Sequence, residues 1–249
     1  MNQQLHKRGL WSIDELSSDD VQTLLATARS LKQAQGRGVP LKGKHMAVLG
    51  DRSAGTGSDV FTMAALGLGA QVTHIPPRTL RLTASGDMGD AGRILGRLYD
   101  AIECDGMGEA FMLALKRAAA VPVSNVLTRD PHPTRMLADL MTMQEMSAGP
   151  IDGLTICVAG AEWGPWSVAW RQIAAVTGID VFVGASPSDA GRRGNRPAFA
   201  CDPTGERCSD GQPAFLMVEG RDSHSTSLAV AQVKNHRFVV QALLAQTVE

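Results

Sequence analysis

Short apolar runs alternate with longer segments of helical period along most of this chain, and that alternation is the feature that most limits the folds open to it. Residues 45–49, 71–75, 100–104 and 121–126 read as buried strands, each too short for a stable helix and each bounded by turn-forming residues. Between and after them, residues 59–68, 87–98, 108–119 and 133–146 read as helices. Ahead of all of these, Ser17-Ser18-Asp19-Asp20 is a capping signal, and Val21, Leu24, Leu25, Ala28 and Leu31 follow at helical spacing, which predicts a first helix. Strands joined by helices pair in parallel, so the plan is an α/β sandwich with helices on both faces of a parallel sheet.

Ser147-Ala148-Gly149-Pro150 interrupts the pattern, and a second alternation follows: a strand at 154–159, a helix at 165–177 and a strand at 180–183. Beyond Pro187 the chain turns irregular and polar, with 191–196 as a loop and 213–218 as one more strand, before a periodic segment at 227–246 predicts a closing helix. The fold class expected is therefore α/β with two parallel-sheet domains. The first spans residues 1–147, the second spans 148–227, and the helix at 228–247 is expected to return to the first.

A chain of 249 residues with 44% hydrophobic content has ample material for a core. Its 24 Lys and Arg against 25 Asp and Glu leave a net charge of -1, with no long basic tract, so neither nucleic acid nor an anionic membrane surface is an expected partner. No apolar stretch approaches the length of a membrane span, and the first eight residues carry no signal-peptide core; a cytoplasmic protein is expected. Cys104, Cys157, Cys201 and Cys208 lack metal-ligand spacing and are expected as reduced thiols, with no metal or other cofactor.

Within this plan the stretch from His132 to Glu145, His-Pro-Thr-Arg-Met-Leu-Ala-Asp-Leu-Met-Thr-Met-Gln-Glu, opens a helix with proline at its first position. It resembles the HPxQxLADLxTxxE segment of aspartate and ornithine carbamoyltransferases, with Arg135 where that family has glutamine. Residues 89–102 resemble the family's DTARVLSRYxDAI run, and residues 120–128 its SVPVINxLT strand and loop. Residues 41–44, 61–71 and 153–183 also fall into register, so the resemblance extends over roughly three quarters of the chain in family order. It implies two α/β domains of carbamoyltransferase type, the second shortened, since no counterpart of the family's late HCLP motif is present.

The resemblance also implies where a site should lie, and there this chain departs from the pattern. The family holds the phosphate of carbamoyl phosphate with an STRTR loop, an arginine after the DAI strand, and the histidine and glutamine of HPxQ. Here the loop aligns as Ala54-Gly55-Thr56-Gly57-Ser58, and the post-strand arginine as Asp105. Each charge-assisted hydrogen bond contributes about 1.5–3 kcal/mol, so losing three would cost on the order of 5–9 kcal/mol, before counting the repulsion from Asp105. Ser53, Gly55, Thr56, Gly57 and Ser58 could still cradle an anion with backbone N–H groups, or form a turn left behind by the lost arginines.

His132 is the expected catalytic residue, polarising a carbonyl oxygen as its family counterpart does, with Arg135 adding positive charge one turn later. The competing structural reading makes His132 a helix cap and Arg135 an ion-pair partner of Asp105 or Asp139. Glu162 and Trp163 fall where the family has the asparagine of its amino-acid-binding loop. Trp163, Trp166 and Trp170 are spaced to share one helical face, either as a pocket wall or as core packing. The arginines at 192, 193 and 196 read as a solvated loop, Asp139 as a structural helix residue, and Asp90 and Arg93 as a local pair.

Three functions follow from these readings. The first is a repurposed enzyme that acts on a small amino-acid-derived substrate in the interdomain cleft without ordinary carbamoyl phosphate binding. The second is an inactive pseudoenzyme serving as a binding or regulatory subunit, and the third a true carbamoyltransferase with arginines supplied from elsewhere. By the resemblance, the expected partners are an amino-acid-like small molecule and further copies of the chain in a trimer.

Overall fold

The computed structural model describes residues 9–34, 38–50, 58–76, 79, 88–127, 131–147, 150–184, 199–203, 215–219 and 224–248. Its contacts divide the chain into two compact units. Unit 1 comprises residues 1–15, 23–128 and 237–249, and unit 2 comprises residues 16–22 and 129–236.

Unit 1 is built on a four-stranded parallel sheet in the order β2-β1-β3-β4, formed by β1 (His45–Leu49), β2 (Gln71–Ile75), β3 (Ala101–Cys104) and β4 (Val123–Ser124). Met46, Ala47, Val48 and Leu49 of β1 and all four residues of β3 are buried, as central strands covered on both faces require. The edge strand β2 is only half-buried. The crossovers are α2 (Ser58–Gly67), α3 (Met88–Leu98) and α4 (Glu109–Ala119). β4 is shorter than the strand expected at 121–126. Pro122 has no N–H to give, although its carbonyl still accepts from Ile102 N (2.9 Å), and the Leu127 amide turns away to the side chain of Glu103 (3.1 Å).

Unit 2 carries β5 (Thr155–Ala159), β6 (Asp180–Gly184), β7 (Phe199–Cys201), β8 (Phe215–Glu219) and β9 (His224–Ser227), in the order β6-β5-β7-β8-β9. β6, β5 and β7 are parallel, as expected, whereas β8 and β9 add an antiparallel margin. The connection at 220–223 explains the last pairing, since so short a link can close a hairpin but cannot carry a parallel crossover. Here α5 (Pro133–Ser147) and α6 (Pro165–Thr177) supply the helices.

Two helices contribute to both units. α1 (Ser18–Gln33) begins in unit 2, where Ser17 Oγ accepts from the Asp20 amide (3.2 Å) and Asp20 Oδ2 accepts from the Ser17 amide (3.0 Å), the reciprocal cap its sequence announces. α7 (Ala229–Thr247) belongs to unit 2 as far as His236 and to unit 1 from Arg237. Its later half is tied within unit 1 by Gln241 Nε2 to the Ala64 carbonyl (3.3 Å) and by Gln246 to Thr27 (3.1 Å). Its earlier half bonds to α5, which is why contacts assign α5 to unit 2 and break the chain at 128.

Among the described residues no helix is long and apolar enough to cross a membrane. Cys104, Cys157 and Cys201 are buried free thiols in β3, β5 and β7; Cys208 lies outside the described residues.

α3 and α4 meet through small residues. A Cβ on Gly96 would fall 1.7 Å from the Ala119 carbonyl oxygen, and one on Gly92 would fall 2.6 Å from the Ala118 Cβ. Alanine in place of a mid-helix glycine ordinarily gains up to about 1 kcal/mol. Here the backbone clash should win, so Gly96→Ala should lower stability by roughly 2–3 kcal/mol in urea unfolding, and an unchanged or raised midpoint would show that the two helices part easily.

Candidate active site

α5 is buried from Pro133 through Met143, so every polar group at its start must find a partner inside the protein. His132 is the capping residue. Its carbonyl accepts from the amides of Arg135 (2.9 Å) and Met136 (3.0 Å), and Pro133 has no N–H to satisfy. The next orphan amide, that of Thr134, donates to His132 Nδ1 at 3.2 Å. A backbone N–H has a fixed direction, so a ring nitrogen that accepts from it carries no proton of its own. The remaining proton of a neutral ring is therefore on Nε2, which makes His132 a hydrogen-bond donor through that atom.

The Thr134 hydroxyl lies 2.8 Å from the same Nδ1 and 3.1 Å from His236 Nε2 on α7. All three side chains are buried. Burial above all, then the charge of Arg135, and that of His132 whenever it too is protonated, push the His236 pKa well below that of a free imidazole, which leaves the ring neutral.

Arg135 and Asp139 are the other polar pair on this helix, with 2% and 0% of their side chains exposed and Arg135 Nε 3.2 Å from Asp139 Oδ1. Of the two partners expected for Arg135, Asp139 is thus the one found beside it. The same oxygen accepts from Gln232 Nε2 at 2.7 Å. Further along, Asn235 Nδ2 donates to Thr142 Oγ1 (3.0 Å) and Glu145 Oε2 (2.9 Å), so the facing sides of α5 and early α7 form a polar ladder. Sequence reasoning does not single out His236, Thr134, Gln232 and Asn235, although Gln232, Asn235 and His236 recur at helical spacing in the closing helix. That spacing is the signal by which they could have been found.

In unit 1 the counterpart positions lie at the carboxyl end of β3. Asp105 is half-buried, its amide donating to the Leu49 carbonyl (2.8 Å), and it packs so closely on Gly50 that a Cβ there would fall 2.7 Å from the Asp105 Cβ. Two residues earlier, Glu103 is fully buried, hydrogen-bonded to Ser124 Oγ through Oε2 and to the Leu127 amide (3.1 Å) through Oε1. Desolvation raises its pKa to about 8, against the lowering effect of those hydrogen bonds and with a small further push from Asp105. The neighbouring Cys104 thiol is also pushed up by burial, beyond any reactive range.

Ser53, Gly55, Thr56 and Gly57 lie outside the described residues, as do the arginines at 192, 193 and 196; Ser58 is the first residue of α2. Glu162 and Trp163 precede α6 rather than belonging to it. The Arg171 guanidinium binds the Glu162 carboxylate (3.2 Å) and its carbonyl (3.0 Å), and stands 5.4 Å from the centre of the Trp163 ring, which is 79% exposed. The single tryptophan face is therefore not formed: Trp163 is outside the helix, Trp166 is half-buried and Trp170 is in the core. A pocket of about 260 Å³ opens beside them at the ends of β5 and β7, lined by Ala159, Gly160, Trp166 and Asp202 among others, with neither Glu162 nor Trp163 in its wall. Asp90 and Arg93 form the local pair expected of them.

Two α/β units with a histidine-proline opening on the fifth helix define a fold of carbamoyltransferase type. Residues 8–145 match the carbamoyl-phosphate-binding domain of aspartate/ornithine carbamoyltransferases. A catabolic ornithine carbamoyltransferase of Burkholderia mallei is 33% identical over 237 residues, covering 93% of this chain and 70% of that protein's length. Among solved structures, ornithine carbamoyltransferase from Pyrococcus furiosus superposes with a TM-score of 0.72 at 18% identity, covering 98% of each chain. Aspartate transcarbamoylase from Trypanosoma cruzi, in complex with carbamoyl aspartate and phosphate, gives 0.71 at 14% identity, covering 99% of this chain and 97% of that one. The chain belongs to the aspartate/ornithine carbamoyltransferase family.

The buried Glu103 makes stability depend on pH. Its folded pKa of about 8 lies above the ordinary value of 4.5, so its contribution is fully present below about pH 4.5 and is lost as pH rises through 8. Glu103→Gln, which keeps the shape and both hydrogen bonds, should flatten urea midpoints measured from pH 5 to 9 and should exceed the native chain in stability, by up to several kcal/mol, at pH 9. Parallel pH profiles for the two proteins would rule out a buried neutral acid.

Proposed function

We propose that this chain is a divergent carbamoyltransferase-family protein in which His132 still donates a hydrogen bond from Nε2 to the carbonyl oxygen of a small amino-acid-derived substrate, while ordinary carbamoyl phosphate binding has been lost. The observation that carries this reading is the Thr134 amide on His132 Nδ1 at 3.2 Å, which leaves the ring proton on the nitrogen that can polarise a carbonyl. A neutral donor suits such a role, because its proton is presented without the cost of burying a charge.

Two further observations support the loss of the phosphoryl donor. Asp105 places an acid at the end of β3 where, by the family pattern, an arginine is expected. Arg135, the one cation added to the His-Pro helix, has its charge balanced by Asp139 at 3.2 Å. Neither the acid of unit 1 nor the balanced pair of unit 2 would by itself offer a dianionic phosphate net positive charge.

The Arg135–Asp139 pair favours a second reading as well, that of a binding or regulatory subunit without turnover, since a guanidinium held by its own helix contributes to structure first. Either reading is compatible with the homotrimer that the family pattern leads one to propose, and light scattering on the purified chain measures that state directly.

Calorimetric titration with carbamoyl phosphate should show binding weaker than that of an arginine-bearing site by about three to six decades, the equivalent of three lost charge-assisted hydrogen bonds. Micromolar affinity would sink the proposal and restore ordinary carbamoyl transfer. In a thermal-shift screen of amino acids and their carbonyl derivatives, a ligand that stabilises the native chain should lose its shift in His132→Ala. A complete absence of stabilising compounds would favour the subunit reading.

A further inference from the structure

We propose that Thr134 and His236 are positioning residues that hold His132 in the Nε2–H form, so that the first half of the terminal helix sets which ring nitrogen of His132 can act on a ligand. This rests on reading His132 as a donor, but its geometry is independent of any ligand. The argument begins with the one proton whose place is fixed, that of the Thr134 amide. It points at His132 Nδ1, so Nδ1 is bare.

Thr134 Oγ1 is 2.8 Å from that bare nitrogen, and a hydrogen bond between them needs a proton that only the hydroxyl can supply. Having given its proton to His132, Thr134 Oγ1 can only accept from His236 Nε2, 3.1 Å away. His236 must then carry its own proton on Nε2. The three groups form one relay with a single direction: His236 Nε2–H to Thr134 Oγ1, and Thr134 Oγ1–H to His132 Nδ1. Reversal would set two protons between Thr134 and His132, against a backbone amide that cannot turn.

The surroundings favour the neutral state this relay needs. His236 is buried, and the Arg135 charge further opposes a positive charge on it. On α5, Asp139 is ion-paired with Arg135 and accepts from Gln232, while Glu145 accepts from Asn235. The terminal helix thus delivers to α5 two amide donors and one imidazole donor within residues 232–236.

Long-range proton–nitrogen correlation on the 15N-labelled full chain reads ring tautomers directly, with His132→Gln and His236→Gln assigning the two signals among six histidines. In the native chain both rings should show a protonated Nε2 and a bare Nδ1. Thr134→Val and His236→Phe should each lower the Nε2–H to Nδ1–H ratio of His132 by about tenfold. Thr134→Ser, which keeps the hydroxyl, and His236→Gln, which keeps a donor, should restore it.

A native His132 with its proton on Nδ1 would overturn this relay and the donor role together. A native Nε2–H form left unmoved in both Thr134→Val and His236→Phe would overturn the positioning role alone and leave the donor role standing. If those two variants do not fold, the native His236 ring decides, because a proton on its Nδ1 contradicts the relay.

Discussion

The amide of Thr134 donates to the ring of His132, and the start of α5 and its contact with α7 depend on that bond. A helix that starts inside a protein must satisfy its first N–H groups without water. Proline at the first position removes one of them, and the capping residue must deal with the next. His132 does so with Nδ1 rather than with a hydroxyl or carboxylate, which commits the ring to one orientation and one tautomer. The structural reading of His132 as a cap and the chemical reading of it as a donor are therefore not rivals. The cap is the reason that the other nitrogen holds the proton.

The same helix must bury charge, and this molecule buries acids in two different ways. Asp139 lies 3.2 Å from Arg135 Nε and accepts from Gln232, so a cation and a neutral donor meet the same oxygen and offset its desolvation. Among the described residues no cation is found acting on Glu103. It has only the Ser124 hydroxyl and backbone donors, which are too weak to hold a negative charge in a dry strand, and it takes up a proton instead. The arginine at 135 lies against an acid one turn further on, so its charge is met within the interior of α5.

How much of this could be read beforehand depended on whether the signal was local. β1, β2 and α6 fall at the residues expected, because a five-residue apolar run or a proline-opened helix is decided by its own sequence. The reciprocal cap of Ser17 and Asp20 is equally local. The strand expected at 121–126 runs past β4 because Val126 looks like a strand residue, and only a buried carboxylic acid on another strand explains why the next amide, that of Leu127, turns aside. The tryptophan face was overextended for a related reason: spacing places residues on one face only if all lie in the helix, and α6 starts after Trp163. His236 was missed since its partner is 102 positions away. The His-Pro motif itself was plain, but the direction of its protons was not.

On the reading that Asp105 stands where the family has an arginine, the exchange would reach further than one phosphate contact. A negative charge beside Glu103 adds, as the smallest of its several influences, to the rise of that buried carboxyl's pKa. An arginine at the same position would act with the opposite sign and favour ionisation of Glu103. Burial remains the larger effect, and it is burial that holds the Glu103 carboxyl neutral beside an acid in this chain. A central strand whose carboxyl can take up a proton in this way tolerates an acid at its end without holding a second buried charge.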